Sequence, residues 1–317
     1  MSSKKFAIGL SPLNYYNNDI NAFDKFCKEN DYRIAHWYSA LPCTWKSKGI
    51  KFKSLREQKR NLKKQLTIIK NNNQKLQLAI NVDIPSPFLR LVFYIQIIIY
   101  KLFYEPYKKV DSIVTRDEYI PFLRKLFPDA TLTYSIQNDF AKTKLKNLKY
   151  CDTIVIGRRY IKNLNFIRKI KEEYHIKIEL LLNCACNFAC TYHCFDGSCE
   201  SSQGQQIRTN GIDKCVAWQS LVPSELKLYP EGLIDIYKLS TRPSSLAWMN
   251  LEMDLYSSEK SLSELNFNFY KPDFWKLVCC TNSISQEVEK KIPNVDIVLK
   301  LKSQIWSKLL HKKVDVY

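Results

Sequence analysis

Cysteine side chains are concentrated in one segment of this sequence. The chain has eleven cysteines, and six of them lie between residues 184 and 215: Cys184, Cys186, Cys190, Cys194, Cys199 and Cys215. Thiolates bind soft and borderline metal ions, and four of them complete either a tetrahedral zinc site or an iron–sulfur cluster. The sequence therefore predicts a metal centre in this segment.

The spacing of these cysteines favours an iron–sulfur cluster, with zinc as the alternative metal. Structural zinc sites usually carry two close CxxC pairs, whereas three residues separate Cys186 from Cys190 and Cys190 from Cys194. One tight turn can aim Cys186 and Cys190 at one cluster, and these are the firmest ligands. Cys215 follows a polar stretch, residues 196–211, long enough to fold back, and is the third ligand. Cys194, near in sequence, is the fourth.

The elements that must position these thiols are short β-rich runs alternating with helical patterns. This alternation is typical of parallel strands joined by crossover helices. It predicts an α/β fold, specifically a (β/α)8 TIM-like barrel. The predicted strands are 6–10, 33–39, 76–82, 112–115, 132–136, 153–156, 176–182 and 234–239. Helices are expected between them over residues 20–29, 54–71, 87–104, 119–127, 141–148 and 164–174, with Asp19 capping the first and Pro87 in the first turn of the third.

After the eighth predicted strand the pattern becomes helical. Helices are expected over residues 245–256, 271–280 and 299–308, without a ninth strand. We therefore expect residues 1–245 to form the barrel, with the cysteine-rich cluster-binding segment 184–215 inside it. Residues 246–317 would form a C-terminal helical extension packed on the barrel.

Three arginines and an amide follow the predicted strands at their carboxyl ends, where barrel enzymes carry their reactive groups. Arg158 and Arg159 follow the sixth strand, Asn183 the seventh and Arg242 the eighth. Guanidinium groups offer paired donors that match carboxylate or phosphate. We expect these residues to orient an anionic substrate, the alternative being structural ion pairs with neighbouring aspartates.

Two ionisable residues lie within strands rather than at their ends. His36 in the second strand and Glu179 in the seventh can both project into the barrel, and for His36 a satisfied core residue is the favoured interpretation. Cysteines in predicted helices or at element starts are expected to be ordinary apolar thiols. These are Cys27, Cys151, Cys279 and Cys280.

Composition limits the class of protein and its partners. Hydrophobic residues make up 45% of the 317 residues, enough for a globular core. The net charge of +18 permits nucleic acid as a partner, but the excess lysines are scattered, which disfavours that interpretation. No charged-then-apolar leader opens the chain, so we expect a cytoplasmic, reducing location. The apolar stretch 88–104 is interrupted by charged residues, so we expect no membrane span. We expect this stretch to form a buried helix, and contact with a membrane surface is the alternative.

The cysteine segment and its flanks resemble the collagenase-like U-type peptidase family, in its UbiU/UbiV-like iron–sulfur barrel branch. The resemblance covers about residues 6–245. The residues that carry it are IELLLNCACNFACTYH at 178–193, TIVIGRR at 153–159, Cys215 and IYKLSTR at 236–242. It implies a 4Fe-4S cluster held by four cysteines. The branch also draws one ligand from the second strand, which makes Cys43 the alternative to Cys194, and the extra cysteines here depart from the family.

What the resemblance implies about activity is oxygen-independent hydroxylation of an aromatic ring or of a pyrimidine in RNA. Together with the arginines at the strand ends, this predicts a hydroxylase or related redox enzyme that acts on an anionic or aromatic small molecule. Peptidase activity is not expected, because the sequence has no GxSxG elbow and no HExxH motif. A noncatalytic cluster-bearing partner in a heteromeric complex and an RNA-base-modifying enzyme are the alternatives. A radical S-adenosylmethionine-like enzyme is a further one, although the cysteine spacing is one residue too long for CxxxCxxC.

Overall fold

Eight parallel strands form a closed barrel in the computed structural model. The model describes residues 4–10, 19–40, 55–80, 84, 86–104, 110–136, 145–157, 160–183, 221–240, 245–261, 264 and 295–316. The strands are β1 (Phe6–Leu10), β2 (Ile34–Ala40), β3 (Leu76–Ile80), β4 (Ser112–Thr115), β5 (Thr131–Ser135), β6 (Thr153–Ile156), β7 (Lys177–Leu181) and β8 (Ile236–Leu239).

Each strand pairs with its neighbours in chain order, and β1 closes the barrel against β8. This confirms the predicted (β/α)8 barrel. Three strands coincide with the predicted bounds, and the others differ by one or two residues at an end. Because all strands run in one direction, their carboxyl ends meet at one rim. Arg116 after β4 and Asn183 after β7 therefore lie at the same end of the barrel.

The helices in the described part of the chain surround this barrel. They are α1 (Ile20–Glu29), α2 (Leu55–Asn71), α3 (Pro87–Phe103), α4 (Ile120–Leu126), α5 (Leu164–Tyr174), α6 (Leu246–Ser258) and α7 (Val295–Leu310). Asp19 caps α1 by accepting from the Ala22 N–H at 2.9 Å, as the sequence predicts. Pro87 occupies the first turn of α3 behind the Ser86 cap, where its missing N–H is not needed.

The segment between β5 and β6 differs from its predicted form. A helix over residues 141–148 is expected from sequence, whereas the described part is a 3-10 helix, Leu145–Tyr150. A 3-10 turn suits a short connector that must deliver the chain directly into the next strand. Residues 137–144 lie outside the described part of the chain.

The hydrophobic core lies between the barrel and its helices. Alternate strand residues point outward and pack on the helices, as the period of two in a strand requires. Trp37 of β2 illustrates this, since its ring lies edge-on to Phe23 of α1 at 5.2 Å and its indole N–H donates to Gln74 at 2.7 Å. The complementary residues point into the barrel, where Ala79, Val114 and Val155 form a small apolar cluster.

Helix α3 is buried on one face only, which corrects the expectation of a buried helix over residues 88–104. Phe93, Ile97 and Tyr100 pack on the core, while the opposite face is exposed to solvent. None of the helices in the described residues is long and apolar enough to cross a membrane.

Candidate functional site

Asn183 is the predicted site residue that the structure describes, and it lies at the carboxyl-terminal rim of the barrel. It follows β7 and is fully buried. Its Oδ1 accepts from the Ser240 N–H at 2.8 Å, and its Nδ2 donates to Glu252 Oε1 at 2.8 Å. Because a backbone N–H can only donate, the Ser240 contact sets the orientation of the Asn183 amide.

Glu252 reaches this rim from α6, a helix that Ser245 caps by accepting from the Trp248 N–H. The Glu252 side chain is fully buried. Burial raises the pKa of this carboxyl to about 8, although the Trp248 indole and the Asn183 amide both favour the ionised form. The carboxyl is therefore mainly neutral at pH 7.

The proton of neutral Glu252 belongs on Oε2. Oε1 accepts from Asn183, and among the described residues neither Oε2 nor the Trp248 indole nitrogen has a partner in hydrogen-bond geometry. The indole is close enough to favour the carboxylate but not aligned to donate to it. A buried carboxyl that stays neutral near pH 7 has a proton available to donate.

Gly157, the residue after β6, lies close to the backbone that follows β5 at the same rim. A Cβ at Gly157 would lie 2.0 Å from the Ile136 carbonyl oxygen, so only glycine allows the ends of β5 and β6 to approach this closely. Arg158 and Arg159 follow Gly157 directly in the chain and lie outside the described residues.

Most of the predicted site residues lie outside the described part of the chain. They are Arg158, Arg159, Arg242, Cys43, Cys186, Cys190, Cys194 and Cys215. Within the described residues, no group of three His, Cys, Asp or Glu side chains forms a metal site. The predicted cluster ligands therefore stay a prediction.

A second group of ionisable residues lies inside the barrel. Lys238 Nζ donates to Glu179 Oε1 at 2.5 Å, and His36 Nε2 lies 3.5 Å from Glu179 Oε2. Lys238 also lies over the Tyr38 ring at 4.2 Å from its centre. The group joins strands β2, β7 and β8 across the interior.

The charges of this group are settled by burial and by Lys238. Burial alone would raise the pKa of Glu179, but the ammonium of Lys238 and, to a smaller extent, His36 outweigh it, so the pKa lies below its ordinary value. Burial lowers the pKa of His36 to about 4 although Glu179 opposes the shift. The ion pair is therefore Lys238 with Glu179, beside a neutral imidazole.

This interior group is separated from the rim by apolar side chains. The strands run toward the rim, and Leu181 lies two residues after Glu179, as Ala79 does after Gln77. Both Leu181 and Ala79 belong to the apolar cluster inside the barrel. Gln77 Nε2 continues the polar layer by donating to the hydroxyls of β4 and β5 at 3.1 and 3.0 Å. The position favours a structural role, as expected for His36.

A third buried group joins the C-terminal helix to the barrel. Glu225 lies in the 3-10 helix Pro223–Leu228, and its Oε1 accepts from Lys162 Nζ at 2.9 Å and from Trp306 Nε1 at 2.7 Å. Its Oε2 accepts from Lys302 Nζ at 3.2 Å and from the Val222 N–H at 2.6 Å. Helix α7 thereby contacts the segment that precedes β8.

Burial lowers the pKa of Lys302 to about 7, against the attraction of Glu225 and with the help of the neighbouring Lys162. Burial would raise the pKa of Glu225, but Lys162 and Lys302 hold it below its ordinary value. Every polar atom of the Glu225 carboxylate is engaged within this group. The arrangement is a structural junction rather than an open site.

Sequence reasoning missed Glu252 and Lys302, although each leaves a signal. In α6 the buried residues Met249, Met253 and Tyr256 recur at helical spacing, and Glu252 lies on the same face. A carboxylate inside an apolar stripe is rarely solvated, so it marks a buried acid. Lys302 lies four residues before the buried Trp306 in the same manner.

Two cysteines outside the predicted cluster are described, and both match the expectation of ordinary thiols. Cys27 is fully buried and Cys151 nearly so. Burial raises the pKa of each thiol to about 12, which keeps both protonated and unreactive. Cys279 and Cys280 lie outside the described residues.

Comparisons with known proteins find likeness only among solved structures. No protein-family profile matches the sequence, and no curated protein matches it. A U32 peptidase has a TM-score of 0.44 at 13% identity, covering 75% of this chain and 92% of that one. A GH113 β-1,4-mannanase has a TM-score of 0.44 at 12% identity, covering 75% and 87%.

A third structure, a GH138 enzyme targeting pectin rhamnogalacturonan II, has a TM-score of 0.46 at 5% identity, covering 97% of this chain and 44% of that one. The U32 peptidase is by its name a U-type peptidase, and the cysteine segment of this chain resembles the U-type peptidase family. At these identities and scores the likenesses carry no argument about activity. The closed eight-stranded barrel stands on the strand pairing of this chain alone.

Proposed function

We propose that this chain is a barrel enzyme whose cysteine-rich segment holds a 4Fe-4S cluster and which carries out an oxygen-independent hydroxylation or related redox reaction. The substrate would be an anionic or aromatic small molecule. Cys186, Cys190 and Cys215 would bind the cluster, with Cys194 as the fourth ligand and Cys43 as the alternative.

The observation that carries the proposal is the position of Asn183. This residue lies just after β7 at the carboxyl-terminal rim, and Cys184 and Cys186 are one and three positions after it in the chain. The cysteine segment therefore leaves the barrel at the end where barrel folds hold reactive groups. Thiolates are the donors that iron–sulfur clusters use, so the residue types fit the group.

When bound, such a cluster supplies one-electron transfer. The chain's own residues would supply the rest. Glu252 would hold a proton at Oε2 at neutral pH and give it to a group at the rim, with Asn183 fixing the carboxyl through Oε1. Arg158, Arg159 and Arg242 would orient an anionic substrate through paired N–H donors.

The decisive experiment is anaerobic purification of the full chain followed by measurement of iron, acid-labile sulfide and zinc per chain. We expect about four irons and four sulfides, from the composition of the cluster. Cys186→Ala and Cys190→Ala should each lose most of the iron. Cys27→Ala and Cys151→Ala are matched controls, since both thiols are buried in the core, and they should keep it.

Two results would contradict this proposal in different ways. Zinc without sulfide would replace the cluster by a zinc site, and full iron in Cys186→Ala or Cys190→Ala would remove the proposed ligand set. Loss of iron in Cys43→Ala with retention in Cys194→Ala would exchange the fourth ligand. For the arginines, Arg158→Leu and Arg242→Leu should weaken binding of benzoate, a simple aromatic carboxylate, without changing iron content.

A further inference from the structure

The outer face of α3 is apolar along its whole length. The exposed residues of this helix are all apolar: Pro87, Phe88, Leu89, Leu91, Val92, Ile95, Ile98, Ile99, Leu102 and Phe103. Phe88 near the start and Phe103 at the end are 71% and 79% exposed. A barrel helix that faces water normally has charged and polar side chains on this face.

The polar side chains of α3 are turned toward the protein. Arg90 donates to the Ile84 carbonyl at 3.1 Å, Gln96 donates to the Tyr100 hydroxyl at 3.1 Å, and Lys101 donates to the Leu126 carbonyl. The residues that interrupt the apolar run in sequence are thus only partly exposed. What remains is a continuous apolar face on a helix of 17 residues, about 25 Å long.

Helix α2 lies beside α3 and presents the opposite kind of surface. Lys59 of α2 lies over the Tyr100 and Tyr104 rings at 4.6 and 5.2 Å from their centres, and its carbonyl accepts from the Tyr104 hydroxyl at 2.9 Å. Five exposed cationic residues share the outer face of α2, at the spacing of successive helical turns: Arg56, Arg60, Lys63, Lys64 and Lys70.

We propose that α2 and α3 together form a docking surface for the anionic surface of a lipid bilayer. Helix α3 would lie in the plane of the interface with its apolar face among the acyl chains, while α2 would contact the lipid phosphates. A span is not required, because Phe93, Ile97 and Tyr100 hold the other face of α3 against the barrel.

The apolar face of α3 and the cationic face of α2 together favour an anionic bilayer over other partners. Nucleic acid would use the cations of α2 but would leave the apolar face of α3 in water. A second copy of the chain, which also has a net charge of +18, would cover the apolar face of α3 but would bring no anionic surface to the cations of α2. An anionic bilayer satisfies both surfaces at once.

The test is co-sedimentation of the full chain with large vesicles, made of phosphatidylcholine alone or with about 30 mol% phosphatidylserine. We expect binding to the anionic vesicles and weaker binding to the neutral ones. Ile95→Glu should reduce the partition coefficient more than about tenfold, because it places a charge in the middle of the apolar face. Leu309→Glu, at an exposed leucine of α7, is its matched control and should bind like the unaltered chain.

The contribution of α2 is tested by charge reversal. Lys63→Glu should weaken binding to anionic vesicles only, whereas Lys169→Glu, at an exposed lysine of α5, should not. Raising the salt to about 1 M should remove the preference for anionic lipid.

Three results would overturn the docking surface. The first is that the unaltered chain binds no vesicles, and the second is that Ile95→Glu and Leu309→Glu bind vesicles equally well. The third is that the unaltered chain binds no vesicles but forms a dimer in analytical ultracentrifugation, which Ile95→Glu dissociates. The last would assign α3 to a second copy of the chain. Circular dichroism of each variant shows whether it is folded.

Discussion

The Asn183 amide holds the Glu252 carboxyl from a position 69 residues away in the chain, through a 2.8 Å hydrogen bond from Nδ2 to Oε1. The orientation is unambiguous because the Ser240 N–H donates to Oδ1 of the same amide. Strands β7 and β8 thereby fix a helix that follows them. The contact leaves Oε2 as the oxygen that holds the proton of Glu252.

Glu252 should make the stability of the protein fall as pH rises through neutrality. Its pKa is about 8 in the folded chain and 4.5 in the unfolded one. Between these values the folded state retains a proton that the unfolded state releases, so the free energy of unfolding decreases with pH, by up to about 1.4 kcal/mol per unit. Denaturant titrations at several pH values measure this slope.

Glu252→Gln should remove that slope. The pKa of His36 rises from about 4 to 6.5 on unfolding, so between these pH values His36 makes stability rise with pH. This contribution is the same in the unaltered chain and in the variant. The difference between the unaltered chain and the variant therefore isolates Glu252. A difference that does not change between pH 5 and pH 8 would show that this carboxyl is ionised in the folded chain.

Removing Lys238 should destabilise the barrel strongly. Lys238→Met leaves the Glu179 carboxylate buried without its main counter-charge, and a loss of about 3 to 5 kcal/mol is typical of such a break. The double variant with Glu179→Gln should recover more than half of that loss, because no uncompensated charge then remains. Urea denaturation of the single and double variants makes the comparison, and additive losses would contradict the pairing.

Lys302 should contribute a pH dependence in the alkaline range. Its folded pKa of about 7 lies below the ordinary 10.5, so between these values the unfolded chain binds a proton that the folded chain does not. Stability should therefore rise with pH from about 7 to 10, from this group alone. Lys302→Met removes the contribution. Lys308→Met, at the end of the same helix, serves as the control that should keep it.

Gly157→Ala should destabilise the chain by about 3 kcal/mol, because overpacking at a rigid backbone contact cannot be relieved by side-chain movement. The added methyl group would meet the Ile136 carbonyl at 2.0 Å. Gly232→Asn is the control, because it replaces a glycine that has no such contact. Gly232 has φ +73° and open space around its Cβ position, and asparagine tolerates that conformation. The effect of Gly232→Asn on stability should be small. Equal shifts of the melting temperature in the two variants would contradict the close approach of Gly157 to Ile136.

The strands, most of the helices and their order could be predicted from the sequence. Helices α1 and α5 have the predicted bounds, and all eight strands overlap their predicted ranges, because hydrophobic period and chain order are local properties. The closure of the barrel followed from the same repetition. The expectation that Cys27 and Cys151 are buried thiols was also local, since both lie where apolar residues are required.

Which ionisable groups are buried, and what they contact, depends on the packing of distant parts of the chain. The side chains that form hydrogen bonds with Glu252, Glu225 and Lys238 are 59 to 81 residues away in the chain, and no local pattern encodes such a separation. The same holds for α3, whose run of apolar residues predicts burial. Which face of that run meets the barrel is a matter of packing: Phe93, Ile97 and Tyr100 are buried against the core, and Lys101 donates to the Leu126 carbonyl of α4.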